Sequence, residues 1–195
     1  MPNRHFEQTR RTSTAEAIAS LAAQMHTRWN YAVGGQLDVT VRAFRSVDLD
    51  SVQQLIHETI DASYTGVYPP RAVRFFKDYH TPERILERQA TGKVVVVERD
   101  ADLVATGAIV DDHILAVFVR PGLQRRGLGA QVMDALESGA RAAGRASVHL
   151  DVSLPSRRFY ERRGYRLLES CSIEVGEGER LDYWAAEKDL GAGKF

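Results

Sequence analysis

Two periodicities divide this chain. Before residue 37 the apolar positions Ile18, Leu21, Ala22 and Met25 recur at helical spacing on one face. They follow Ser13-Thr14-Ala15-Glu16, which reads as a capping box with Glu16 reaching back to Ser13. Gly34-Gly35 interrupts the pattern, so residues 1–36 are expected to form an N-terminal helical extension and residues 37–195 the main domain. From Leu37 the period is two: Leu37, Val39, Val41 and Ala43 alternate with Asp38, Thr40 and Arg42, as in a half-buried strand. Asp48 stands where it would cap a helix whose apolar stripe is Leu49, Val52, Leu55, Ile56 and Ile60. Residues 64–70 break the pattern, because Pro69-Pro70 ends any helix before it. A short helix is expected over 71–79. Thr81-Pro82 starts another, with Pro82 at its first position.

A run of short strands comes next. Residues 93–99 hold four consecutive valines, too many for one wet face, which predicts a strand covered on both sides. Turns at 100–102 and 111–112 lead into strands 103–110 and 114–119, giving an antiparallel meander closed by Pro121-Gly122. Leu128, Val132, Leu136 and Ala140 then lie in one row of a helix over about 127–143, stopped by Gly144. Val148, Leu150 and Val152 alternate with His149 and Asp151. Pro155 opens a helix that Gly164 ends, and strands 165–175 and 181–188 flank a turn at 176–179. The expected class is α/β (α+β): a mixed, mainly antiparallel central sheet flanked by helices.

Composition narrows the function. The chain has 195 residues, 44% apolar and 27% charged, near the globular average and enough for one ordinary domain. Lys+Arg and Asp+Glu both number 26, so there is no basic excess of the kind nucleic-acid binding shows. One cysteine, Cys171, cannot form an internal disulfide and fits a reducing compartment. The first residues lack an apolar signal core, and no stretch reaches the roughly 18 apolar residues of a membrane span. A cytoplasmic protein without nucleic-acid or membrane partners is expected. No histidine or cysteine spacing suggests a metal site.

The segment carrying chemistry is Gln124-Arg125-Arg126-Gly127-Leu128-Gly129, between a strand and a helix. Successive N–H groups in a tight turn at a helix N-terminus make an anion nest, reinforced by the helix dipole. Gly127 and Gly129 let a phosphate approach the backbone, and Arg125 and Arg126 can add charge-assisted bonds. The Gly-Lys-Ser/Thr ending of a Walker loop is missing, and Val132 stands where a dinucleotide fingerprint needs a third small residue. By itself the segment is open between phosphate binding and a plain tight turn with solvated arginines.

Residues 114–129, Ile114-Leu115-Ala116-Val117-Phe118-Val119-Arg120-Pro121 followed by Gly122 to Gly129, resemble the central motif of the GNAT superfamily of N-acetyltransferases. Downstream, Phe159-Tyr160-Glu161-Arg162-Arg163-Gly164-Tyr165 resembles the family's Phe-Tyr-Glu-x-x-Gly-Phe/Tyr segment. Two motifs in order, separated by a helix and a strand, are far more specific than either alone. The resemblance covers about residues 39–190. It implies that two neighbouring parallel strands, 114–119 and 147–153, splay to form a slot for pantetheine.

On that resemblance acetyl-CoA is the acyl donor, as co-substrate, and no metal is involved. Val117, Phe118 and Val119 would meet pantetheine and the thioester carbonyl through main-chain groups. Gln124, Arg125, Arg126, Gly127, Leu128, Gly129 and Ala130 would bind the pyrophosphate, and Ser153, Ser156 and Tyr160 would complete the CoA site. Tyr160 stands where the family commonly places a general acid for the departing thiolate. The base is less defined: His113 starts the motif strand and its ordinary pKa of about 6.5 suits proton acceptance, with Glu98, Asp111 and Asp112 as competitors. His149 and Asp151 share a strand face, read as a solvated or core-satisfied pair. The acceptor site falls to Tyr64, Tyr68, Phe75, Phe76, Tyr183 and Trp184, of which Tyr64 and Tyr68, on the irregular segment, stand out, while Phe75 and Phe76 read as core.

The expected function is acetyl transfer from acetyl-CoA to a primary amine, on a small molecule or peptide, by direct attack in a ternary complex. The alternatives are a catalytically inactive acyl-CoA-binding sensor or scaffold, and a modifier of a partner protein's lysine or N-terminus. Family members often pair through the late strands, so a homodimer is also compatible.

Overall fold

The computed structural model describes residues 38–191; the extension predicted over residues 1–36, with its capping box, lies outside the described residues. Seven strands form one sheet: β1 (Thr40–Ala43), β2 (Lys93–Arg99), β3 (Asp102–Val110), β4 (His113–Val119), β5 (Ser147–Ser153), β6 (Arg166–Gly176) and β7 (Glu179–Asp189). Their spatial order is β1-β2-β3-β4-β5-β7-β6. Every neighbouring pair is antiparallel except β4 and β5. Among the described residues five α-helices accompany them: α1 (Leu49–Tyr64), α2 (Pro70–Asp78), α3 (Pro82–Thr91), α4 (Leu128–Ala142) and α5 (Arg157–Arg162).

The four valines of β2 show why the sheet needs helices on both faces. Val94 and Val96 pack with Leu55, Ile56 and Ile60 of α1 and Ile85 of α3. Val95 and Val97 point the other way, into a core with Leu128, Val132 and Leu136 of α4. Alternate residues thus serve opposite cores, as a strand's two-residue period dictates. Each such side chain contributes about 1.5–3 kcal/mol by leaving water. Gly107 of β3 fixes how closely α4 approaches, since a Cβ there would stand 2.4 Å from Val132 Cγ1.

Helix boundaries follow the punctuation with two departures. Thr81 Oγ1 accepts from Arg84 N at 3.4 Å, so the predicted cap of α3 forms. Asp48 precedes α1 but does not cap it: the buried carboxylate accepts two bonds from Arg42, at 2.7 and 2.9 Å, and one from Arg45 N. A guanidinium fork outcompetes a single backbone N–H for a carboxylate. The helix expected from Pro155 begins as a 3₁₀ turn, Leu154–Ser156, before α5, and ends at Gly164 with φ 87°.

Behind the sheet, Glu137 of α4 is 2% exposed and ties three elements together. It accepts from Arg163 at 2.7 Å, from Lys188 of β7 at 2.9 Å and from the Tyr165 hydroxyl at 3.2 Å. Burial alone would push its carboxyl up, but the Arg163 and Lys188 bonds outweigh burial and hold it below the usual range.

Candidate active site

β4 and β5 share a single rung, His113 opposite His149, with His149 N donating to Asp112 O at 2.9 Å. Beyond it the strands diverge. A bulge on the other edge of β4 helps to turn it away: Leu115 faces Ala108 and Phe118 faces Thr106, so Ala116 and Val117 stand against Gly107 alone, with Ala116 at φ 54°. The Val119 carbonyl accepts instead from Gln124 Nε2 at 3.3 Å, and lies at the same distance from Thr59 Oγ1 of α1, whose proton goes to Leu55 O at 2.7 Å. Main-chain groups between the splayed strands are left for a ligand with amides of its own.

Next to this slot the chain enters α4 through residues 121–127. Arg125 and Gly127 both have positive φ, 61° and 84°, which turns the backbone into the concave form of an anion nest. Gly127 is the N-cap of α4 and has no side-chain cap, so the first N–H groups of a fifteen-residue helix face outward. A Cβ on Gly127 would meet nothing within 4 Å, leaving room for a phosphate. Gly129 stands closer in: its Cβ would lie 3.3 Å from Phe159, at the α4–α5 contact. Arg125 and Arg126 are exposed, while the Leu128 side chain is buried in the core and can offer only its backbone. These residues fit a pyrophosphate.

On the far side of β4 lies a cavity of about 250 Å³ whose wall includes Tyr64, Phe118, His113, Asp151, Ser153 and Tyr160. Three hydroxyls are fixed there. Tyr64 donates to Ser153 Oγ at 3.1 Å, Ser153 lies 2.8 Å from Ser156 Oγ, and Ser156 donates to Ser153 O at 3.0 Å. With those protons in use, Ser153 can only donate to Ser156. Tyr160 is different: its hydroxyl has no protein partner among the described residues, and its ring is held edge-on by Phe159 and Tyr165. Burial, and next to it the nearby Tyr64, push its phenol well above the usual range, so it keeps its proton at any working pH.

His113 Nε2 lies 3.7 Å from Asp151 Oδ2, across the mouth of the splay. Asp151 therefore faces a strand neighbour's histidine rather than His149 of its own strand. Sequence periodicity could not show this, because the partner is set by the parallel register. His80, which sequence reasoning missed, also lines the cavity and is 4% exposed. Arg88 Nη1 lies 2.9 Å from His80 Nδ1 and can only donate, so the imidazole proton sits on Nε2. Burial, then the charges of Arg88 and His57, bring the His80 pKa down to about 3, which makes it a neutral wall residue.

Four of the aromatics expected around the acceptor, Tyr64, Phe75, Phe76 and Tyr183, line the cavity. Phe75 was expected in the core but is 39% exposed. Tyr68 lies outside the cavity wall: it is buried, donates to Asp182 O at 2.9 Å and accepts from Leu154 N at 2.8 Å. Its place in the sequence suggested a pocket; both hydrogen-bonding capacities instead staple residues 64–70 to β7 and the end of β5. Trp184 is covered by Arg157, whose guanidinium lies 4.8 Å from the ring centroid.

Residues 59–176 match the model of the acetyltransferase (GNAT) domain. The chain belongs to the GNAT acetyltransferase family. Solved GNAT structures share its fold. A GCN5-related N-acetyltransferase from Rhodopseudomonas palustris superposes with TM-score 0.72 at 19% identity, covering 82% of this chain and 99% of that one. PaiA N-acetyltransferase from Thermoplasma acidophilum, solved in complex with coenzyme A, gives 0.64 at 17% identity over 78% of this chain and 99% of its own. YncA from Salmonella typhimurium, solved with acetyl-CoA, gives 0.59 at 18% over 80% and 96%. At these identities the likeness shows the fold, and membership of the GNAT family supports acyl transfer from acetyl-CoA. Among the described residues no helix is long and apolar enough to cross a membrane, and no cluster of metal-ligating side chains is found.

Proposed function

We propose that this protein transfers an acetyl group from acetyl-CoA to a primary amine by direct attack, with both substrates bound together. One observation carries the reading: a parallel strand pair with a single rung opens between an anion nest and a cavity holding a buried tyrosine that has no partner among the described residues. Acetyl-CoA, as co-substrate, supplies the thioester whose acyl carbon the amine attacks. Gln124, Arg125, Arg126 and the N–H groups from Gly127 to Ala130 would hold the pyrophosphate. Main-chain groups of Val117, Phe118 and Val119 would align the pantetheine and polarise the carbonyl. Ser156 would border the thiol end of the slot, with Ser153 oriented by Tyr64.

His113 removes the ammonium proton in this reading. It precedes the bulge by three residues of strand, about 10 Å, so it reaches the amine through water. Asp151, 3.7 Å away, stabilises the imidazolium that forms. Tyr160 passes its proton to the departing sulfur as the C–S bond breaks and regains one from the new amide nitrogen. The products are the N-acetyl amine, free thiol and one proton released from the ammonium.

Calorimetric titration of acetyl-CoA tests the first half of this reading. Wild type should bind, and Gly127→Glu should not, because it puts a carboxylate where the phosphate belongs. Gly127→Ala carries the strain of φ 84° without the charge, about 1–2 kcal/mol, and should keep part of the affinity. Wild-type affinity in Gly127→Glu would remove the pyrophosphate assignment. Binding without amine-dependent thiol release would favour an inactive sensor.

A further inference from the structure

The cavity wall has a composition that the transfer reading does not use. Besides Tyr160, six of its residues carry phenyl or phenol rings: Tyr64, Phe75, Phe76, Tyr79, Phe118 and Tyr183. Two of these, Phe75 and Tyr79, keep large ring surfaces uncovered, 39% and 47% exposed. Both come from one stretch, α2 and the turn after it, opposite β4. Tyr79 is steadied from outside by Arg88, whose guanidinium lies 5.0 Å from the ring centroid and donates to the Tyr79 carbonyl at 2.7 Å. Phe76 is locked edge-on against Tyr64 at 4.6 Å and Tyr68 at 5.2 Å. Tyr79 and Phe76 are therefore preformed, and Phe75 stands on the same helix as Phe76.

Charge on the same wall is sparse. Among the described residues Asp151 is its one carboxylate, and no lysine or arginine lines it. Inside this cavity a polyamine's further ammonium groups would lie against apolar rings, at high desolvation cost, since Glu87, Asp111 and Asp112 line a separate cleft beyond Tyr79 and His113. A free amino acid would bring a carboxylate with no cation to receive it. A volume of about 250 Å³ lies below the roughly 300–1,000 Å³ of sites for drug-sized ligands and leaves little space for an extended peptide.

We infer that the acceptor is a small primary amine on an apolar, ring-sized body: the body lies against Phe75 and Tyr79, and Asp151 draws in its ammonium. This rests on the acetyl-transfer reading and adds the substrate class to it. Phe75 and Tyr79 are then specificity-determining residues. An aromatic or cycloaliphatic body would bury their exposed faces, with ring–ring contacts adding to the area effect.

The test is a thiol-release assay at saturating acetyl-CoA with 2-phenylethylamine, n-butylamine, spermidine, lysine and an alanine-initiated peptide, beside calorimetry of acetyl-CoA alone. The expected result is that 2-phenylethylamine leads in kcat/KM by about tenfold or more, within the range a hydrophobic pocket can discriminate. Phe75→Ala should raise its KM several-fold and narrow its lead over n-butylamine, with acetyl-CoA affinity by calorimetry as in wild type. Phe75→Leu, which keeps apolar bulk, should recover part of the loss. Preference for spermidine, lysine or the peptide would overturn the inference and leave the transfer reading standing. So would acetyl-CoA binding without acetylation of 2-phenylethylamine, whatever the other amines do. Failure to bind acetyl-CoA would overturn both.

Discussion

β5 has two edges, and they are built differently. Against β7 the pairing runs unbroken from Ser147 opposite Asp189 to Ser153 opposite Tyr183. Against β4 it stops after His113 opposite His149. Charges follow the same division. On the β7 side Glu137 is buried among Arg163, Lys188 and Tyr165, and its acceptor capacity is well used. On the β4 side His113 and Asp151 are 3.7 Å apart and half in solvent, and Tyr160 has a proton but no protein partner among the described residues. A fold spends satisfied polar groups where it needs rigidity. Groups left wanting a partner mark where a ligand would supply one.

The largest effect should come from the open edge. Tyr160→Phe removes one hydroxyl from a buried site without emptying the ring's volume, so the fold and the anion nest should persist. If Tyr160 protonates the departing thiolate, kcat should fall by about 10²–10⁴, the usual worth of a general acid, with acetyl-CoA affinity unchanged by calorimetry. Unchanged turnover would make Tyr160 a packing residue, and the contrast between the two edges would lose its catalytic meaning.

The closed edge should answer in stability. Glu137→Gln keeps the shape but leaves the Lys188 charge without its counter-ion and Arg163 with Asp134 alone, and breaking a buried pair on one side costs about 3 kcal/mol. Denaturant unfolding should show that loss, while kcat measured on folded protein below the transition stays within about twofold. A large fall in kcat with intact stability would mean that the Glu137 cluster steers the site, contrary to the division drawn above.

Much of the fold was legible because hydrophobic periodicity and turn residues report local geometry directly. The β2 valines, the row of α4 and the stop at Gly164 all appear where their patterns place them. The sheet's splayed pair came from a resemblance, and the structure shows its cause, the bulge at Ala116 and Val117. What stayed hidden was set by contacts between distant segments. Asp48 looks like a helix cap until Arg42 is seen folded onto it. Tyr68 looks like a pocket residue until its hydroxyl is found between Asp182 and Leu154. His80 carries no local signal, because its tautomer and its neutral state depend on Arg88, eight residues away on the next helix.

That histidine gives the smallest and most specific prediction, since the two sides of the molecule should weaken in different pH windows. His80 is held neutral in the folded state, its pKa brought to about 3 by burial and by Arg88 and His57, against about 6.5 when unfolded. Between those values the unfolded chain binds a proton that the folded one refuses, so stability falls as pH drops below about 6.5. Glu137 shifts in the same direction, its carboxyl held below its ordinary value, but its contribution is lost only at lower pH, below the ordinary carboxylate range and through that lower, folded value. From pH 7 to pH 5 the His80 side alone should therefore act, at a cost of about 2 kcal/mol. His80→Gln, whose amide oxygen can still accept from Arg88, should flatten the stability profile in that interval and leave the decline at lower pH in place. Measuring unfolding free energy at pH 7, 6 and 5 in both proteins decides it. Parallel profiles would mean that His80 takes up its proton in the folded state, and that the cavity wall is more open to water than its burial among Phe118, Arg88 and His57 implies.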